Sequence, residues 1–307
     1  MTYKEVNVNE IIKAFHKDVI SVQGYVHEKM YVNNIPDVSN VNDTSLDWVN
    51  STKENKQTIA EKSKAKVLVV DETVKYTEPM ARQGKVLLVV ERPRQMMALI
   101  ATHFFAEKQK SGIHPTAYVD GKAHVDSSAH IGAGCVIGNA VVGAGSVLMP
   151  NVVLYDNVVI GDNCLIQAGA VIGTDGLGCV RDKDGRLTKF PHLGGVRIGN
   201  DVEIGANCQI AKGAFSDTII ENGCKINGLC FIAHNCHLEE NVWITGDTML
   251  SGSVHVMKNA TIFSNVIIRE QRIIGEWSVI GMGSVVTKNV PEKETWVGNP
   301  AHKLEKK

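Results

Sequence analysis

The segment Ala233-His234-Asn235-Cys236-His237 carries the residues best suited to moving a proton. A histidine near its ordinary pKa can take a proton from a nucleophile at neutral pH and pass it on. His234 lies two residues past Ile232, in a run where aliphatic residues recur every six positions, which puts it at or beside a corner. From spacing alone, two roles are open to it: a base, or a hydrogen-bonding group that holds the corner. Asn235 could orient that imidazole, hold a substrate, or satisfy a turn, as asparagine often does. His237 directly precedes Leu238 and is expected to point outward into solvent. No third ligand stands at suitable spacing from His234 and His237, so no metal site is expected. Gly173, Gly176 and Gly178 interrupt a repeat and open no helix, so they form no dinucleotide fingerprint and fit a loop needing positive φ.

The elements that position this segment follow from one period. Stepping six residues from Ile220 meets Ile226, Ile232, Leu238, Ile244, Leu250 and Val256, and continues on aliphatic residues to Val286. A helix would repeat its apolar residues every three or four positions, and a strand every two. A strict six-residue beat marks a parallel β-helix, whose coils bury an apolar face only by stacking. The same beat runs from Leu148 to Ile172 and from Ile198 to Ile210, with a one-residue slip between Ile137 and Val142. Six of the seven cysteines sit two residues before a repeat position, where small residues suit a tight corner. They read as packing residues; Cys179 alone lies off the pattern.

The chain divides by texture. Residues 1–105 lack the beat and read as a small α/β domain. It is expected to hold an amphipathic helix over Val6–Phe15, buried strands at Val67–Val70 and Val86–Val90, and a helix over Arg94–Lys108. Residues 106–292 form the coil, with a polar inserted loop at about 174–195 and a shorter excursion between Ile210 and Ile220. Residues 293–307 are a short tail. Lysine plus arginine (32) nearly balances aspartate plus glutamate (33), so no global field favours nucleic acid or an anionic membrane. With no signal-peptide core or membrane-length apolar stretch, a soluble cytoplasmic protein is expected.

Three stretches carry a resemblance: Val171-Ile172-Gly173-Thr174-Asp175-Gly176-Leu177-Gly178, Val202-Glu203-Ile204-Gly205-Ala206-Asn207, and Phe231-Ile232-Ala233-His234-Asn235. The texture resembles the left-handed β-helix acyltransferases, and these stretches resemble the UDP-3-O-acylglucosamine N-acyltransferases of lipid A assembly. That resemblance implies a mainly β fold, a left-handed parallel β-helix with a small amino-terminal α/β domain. It also implies a homotrimer with its site between subunits, acting on a nucleotide-linked amino sugar. His234 matches the family's catalytic histidine and becomes the expected general base. Asn50 matches an asparagine of the uracil-binding module, and the adjacent Trp48 could stack on a base or simply belong to the core. Gly246, Gly281 and Gly283 fall near inter-coil surfaces that carry the pantetheine arm in relatives, or are tight corners.

Four departures qualify the match. Ala211 and Lys212 replace an aspartate and arginine, Gln271 replaces a second functional histidine, and Phe263 with Ser264 replaces a glycine pair beside the acyl chain. The tail after Val297-Gly298-Asn299-Pro300-Ala301 is similar to that of coenzyme A-dependent sugar acetyltransferases. A ring at Phe263 fills the volume of several methylenes, which favours a short acyl group. The expected activity is therefore transfer of a short acyl group, acetyl, from acyl-CoA to the amine of a nucleotide-linked sugar. The alternatives are a lipid A-type enzyme using a 3-hydroxyacyl carrier protein, and a non-catalytic β-helix that binds a nucleotide sugar.

Overall fold

A computed structural model describes residues 4–305. The chain divides into two compact units, Met1–Lys108 and Gln109–Lys307.

The amino-terminal unit is built on a four-stranded sheet in the order Val19–Gln23, Val86–Val90, Val67–Val70, Leu46–Trp48. The first pair is antiparallel and the other two are parallel. Both central strands are buried along their whole length, as continuous runs of valine and leucine require when helices cover both faces. One face packs Ile11, Met96, Met97 and Ile100; the other packs Ala60 and Met80. Lys85 is buried, and its Nζ donates to the carbonyls of Ala60, Glu61 and Ser63, which end the helix Lys56–Lys62.

Two helices differ from the sequence reading. The first starts only at Val8, because the Asn7 side chain accepts from the Asn9 N–H and caps it there. The last is regular over Pro93–Ile100 and then widens into a π turn at Ala101–Phe105, where the Ala106 N–H reaches the Ala101 carbonyl.

The second unit is a left-handed β-helix with three faces, and its coil strands form three parallel sheets, one of them extended by the antiparallel strand His302–Lys303. Residues eighteen apart pair across coils: Ile226 with Ile244 on the first face, Ile232 with Leu250 on the second, Leu238 with Val256 on the third. All six are buried. Most corners carry a left-handed residue three positions before the inward aliphatic, among them Asn207, Asn235, Asn241, Asn259 and Asn265. Asparagine enters that region at lower cost than most side chains, which is why it recurs there. The slip before Val142 keeps the register, since Val142 still pairs with Val125 and Ile160. The missing residue comes out of the corner, which has no left-handed residue at Asn139.

Six cysteines lie inside the coil, and Cys179 is exposed. Burial pushes the thiols of Cys224 and Cys236 up to about 12, so they stay protonated and inert. The insertion, expected as a polar loop, is instead an antiparallel hairpin of Gly178–Arg181 with Leu187–Phe190. Asp182 closes its tip by accepting from the N–H groups of Asp184 and Arg186. Among the described residues, no helix is long and apolar enough to cross a membrane, and no cluster of three His, Cys, Asp or Glu could hold a metal ion.

Candidate active site

His234 sits at the corner between the second-face strand Phe231–Ile232 and the third-face strand His237–Leu238. Its half-buried imidazole lies on the same corner of the next coil, where residue 252 is glycine. A Cβ there would stand 2.7 Å from both Cε1 and Nε2 of the ring. Replacing Gly252 with alanine is therefore expected to tilt the imidazole and lower kcat roughly tenfold, as misplacing a catalytic group does. Unfolding midpoints should move little, because Gly252 has no left-handed backbone to protect. A wild-type kcat in that variant would show that the ring needs no such floor.

Asn235 adopts φ 60°, the conformation its corner demands. Its side chain also has a second task. The Oδ1 accepts from the Ala214 N–H at 3.0 Å, while Nδ2 donates to the Ser216 carbonyl at 3.2 Å and to the Ser216 Oγ at 2.9 Å. A backbone N–H only donates and a carbonyl only accepts, so these two contacts fix which way the amide faces. Oδ1 lies 3.0 Å from Nδ1 of His234 and must accept from it. The neutral imidazole thus carries its hydrogen on Nδ1, and its Nε2 is left as an acceptor.

The short excursion is stapled to the same corner. Thr218 Oγ1 accepts from the Asn235 N–H and donates to the Ala211 carbonyl. The carbonyl of Ala214 in turn accepts from the Leu193 N–H at the hairpin base. Through these bonds the hairpin brings His192 against His234, with ring centroids 5.2 Å apart and the planes at 72°. His192 is buried, and burial first, then the neighbouring His234, push its pKa down, so it stays neutral. Asp175 bridges Lys189 at 2.6 Å and Lys212 at 3.0 Å. Those two ammonium groups bring its carboxyl to about 2. Lys212, one of the departures from the family pattern, is thus held by a carboxylate of the insertion. The sequence reading gave no role to His192, Gly252, Asp175 or Lys212. Gly252 alone carried a usable signal, being eighteen residues beyond His234.

The remaining candidates lie elsewhere. Trp48 is half-buried and packs against the amino-terminal core, and Asn50 accepts from the Thr52 N–H in a turn. Gly246, Gly281 and Gly283 lie at the corner between the first and second faces, one corner away from that of His234. A Cβ on Gly281 would meet the Val297 side chain at 2.6 Å, while Gly283 takes φ 71° with open space around it. Phe263 stands at that corner too, tilted against Trp243 with centroids 6.3 Å apart. Gln271 occupies the left-handed position of the His234 corner two coils beyond Asn235. His237 is not the solvated residue expected. It pairs with Glu221 at 2.6 Å and stacks flat on His255, its partner in the next coil, because parallel in-register strands bring like positions together.

Comparison with known proteins agrees with this architecture. Residues 139–174 match the family model "Bacterial transferase hexapeptide (six repeats)". A curated UDP-3-O-acylglucosamine N-acyltransferase of Coxiella burnetii is 56% identical over 70 residues, 23% of this chain and 20% of that protein. The chain thus spans about a fifth of the length of the curated relatives it matches. The solved UDP-N-acetylglucosamine acyltransferase of Francisella novicida aligns with TM-score 0.58 at 28% identity, covering 63% of this chain and 70% of its own. The UDP-N-acetylglucosamine O-acyltransferase of Moraxella catarrhalis aligns with TM-score 0.57 at 27% identity, covering 62% and 73%. Fold and repeat together give this chain the left-handed, hexapeptide-repeat β-helix seen in these acyltransferases. The sequence similarity, over those 70 residues, is to an N-acyltransferase.

Proposed function

We propose that the chain transfers an acyl group from a thioester to the amine of a nucleotide-linked amino sugar. The observation that carries this reading is the tautomer of His234, which Asn235 fixes so that a basic Nε2 is presented at the corner. The neutral amine attacks the thioester carbonyl and its proton passes to Nε2. Collapse of the tetrahedral intermediate breaks the C–S bond, and the same imidazole protonates the departing thiolate. A C–N bond replaces a C–S bond, and no covalent enzyme intermediate is needed.

For the acceptor, similarity to the curated relatives favours UDP-3-O-acylglucosamine, with a 3-hydroxyacyl carrier protein as donor. A pocket lined by Val136, Val153, Leu154 and Tyr155, and also by Asp156, Asn157 and Lys212, lies at a different corner from Phe263 and is a candidate seat for a longer chain. The second reading, acetyl transfer from acyl-CoA, has Phe263 in its favour and no support from the relatives' names. In either case Gly246, Gly281 and Gly283 are the candidates for contact with the pantetheine arm, and Trp48 with Asn50 for contact with the base. A homotrimer with the site at its seams completes this reading.

Thiol release measured with two substrate pairs separates the readings. The first pair is 3-hydroxyacyl carrier protein with UDP-3-O-acylglucosamine; the second is acetyl-CoA with a UDP-linked amino sugar. Turnover of the first pair is expected to exceed that of the second. The reverse order would establish the short-chain reading, and no turnover with either would overturn acyl transfer.

A further inference from the structure

His192 comes from the insertion, outside the repeat, yet the residue is only 4% exposed and its ring lies beside that of His234. Its Nδ1 is 3.2 Å from the Phe190 carbonyl, which can only accept, so the hydrogen of the neutral ring is on Nδ1. Nε2 is therefore a bare acceptor, buried and without a hydrogen-bond partner. A buried acceptor left unpaired is costly, and such groups commonly mark a place that a ligand completes. A Cβ on Gly176 would stand 2.5 Å from Nε2 of His192 and 3.0 Å from Cδ2 of His234, so both rings converge on one spot beneath that backbone. Residues 175–177, which lie over that spot, belong to no strand.

We infer that Nε2 of His192 is a second hydrogen-bond acceptor in the site and selects an amine over a hydroxyl as nucleophile. The inference deepens the acyl-transfer reading and rests on it. A neutral amine has two hydrogens. One leaves to Nε2 of His234; the other is held by Nε2 of His192 and stays on nitrogen in the product amide. A hydroxyl has one hydrogen and leaves one of the two acceptors unpaired, and sites built around a hydrogen bond discriminate strongly against ligands that lack it.

The test compares wild type with His192→Phe and His192→Gln, using a UDP-linked amino sugar and its analogue with hydroxyl in place of the amine. Affinities are read by calorimetry, and kcat/KM is read for the amine. Phenylalanine is expected to lower kcat/KM for the amine about 10- to 100-fold, the range set by a hydrogen bond to a polar substrate group. The amine-to-hydroxyl affinity ratio should fall by a similar factor, and glutamine, which offers a carbonyl acceptor, should recover most of both. A phenylalanine variant whose affinity ratio stays within about twofold of wild type would overturn the inference, as would equal losses on both ligands. An unmodified chain without turnover would overturn the proposed function instead, and the inference with it.

Discussion

Replacing His234 with alanine is expected to lower kcat by about 10²- to 10⁴-fold, the contribution a positioned general base makes. The fold should survive. The imidazole is half-buried at a corner, and its one side-chain hydrogen bond goes to an Asn235 Oδ1 that still accepts from Ala214. The inward residues Ile232 and Leu238, which hold the coil at either side, are untouched. KM for the acceptor should change less than kcat, since the hydrogen bond to Nε2 of His234 strengthens most as the amine gives up its proton. The check is kcat and KM from thiol release, with a thermal melt to show that the coil is intact. Activity within about threefold of wild type would remove His234 as the base.

The second large effect is expected at Asn235, where conformation and chemistry can be separated. Asn235→Gly keeps the left-handed corner at no steric cost. It removes the acceptor that places hydrogen on Nδ1 of His234, so the ring is free to turn and to adopt the wrong tautomer. We expect kcat to fall by about 10- to 10³-fold, given the large losses seen when a catalytic histidine's tautomer is disturbed. Asn235→Asp keeps an acceptor for Nδ1 and for the Ala214 N–H, but loses the donation to Ser216 and turns a carboxylate oxygen toward its carbonyl. It should therefore lie between wild type and the glycine variant. If glycine and wild type show the same kcat, Asn235 serves the turn alone.

Much of the molecule was legible in its residues. The six-residue period set the coil, its inward positions and the burial of six cysteines, because each coil repeats one local solution and stacking only copies it. Burial of Val67–Val70 and Val86–Val90 was legible for a similar reason: a continuous apolar run can satisfy itself only inside. His234 was placed at its corner by the same counting, while its expected role as base came from a family resemblance and from no feature of the period.

What the sequence did not disclose lies in contacts between outward side chains, both across coils and from segments outside the period. The residues of the hairpin Gly178–Phe190 are mostly exposed and polar, so no apolar pattern announces their pairing. His192 reaches His234 only because that hairpin folds back and its base is bonded to the excursion around Ala214. Likewise His237 looked solvated because its stacking partner, His255, belongs to the next coil. Periodicity reports which side chains face inward. Which outward side chains meet is decided by how coils stack and how insertions close over a corner, and that is a property of the folded chain.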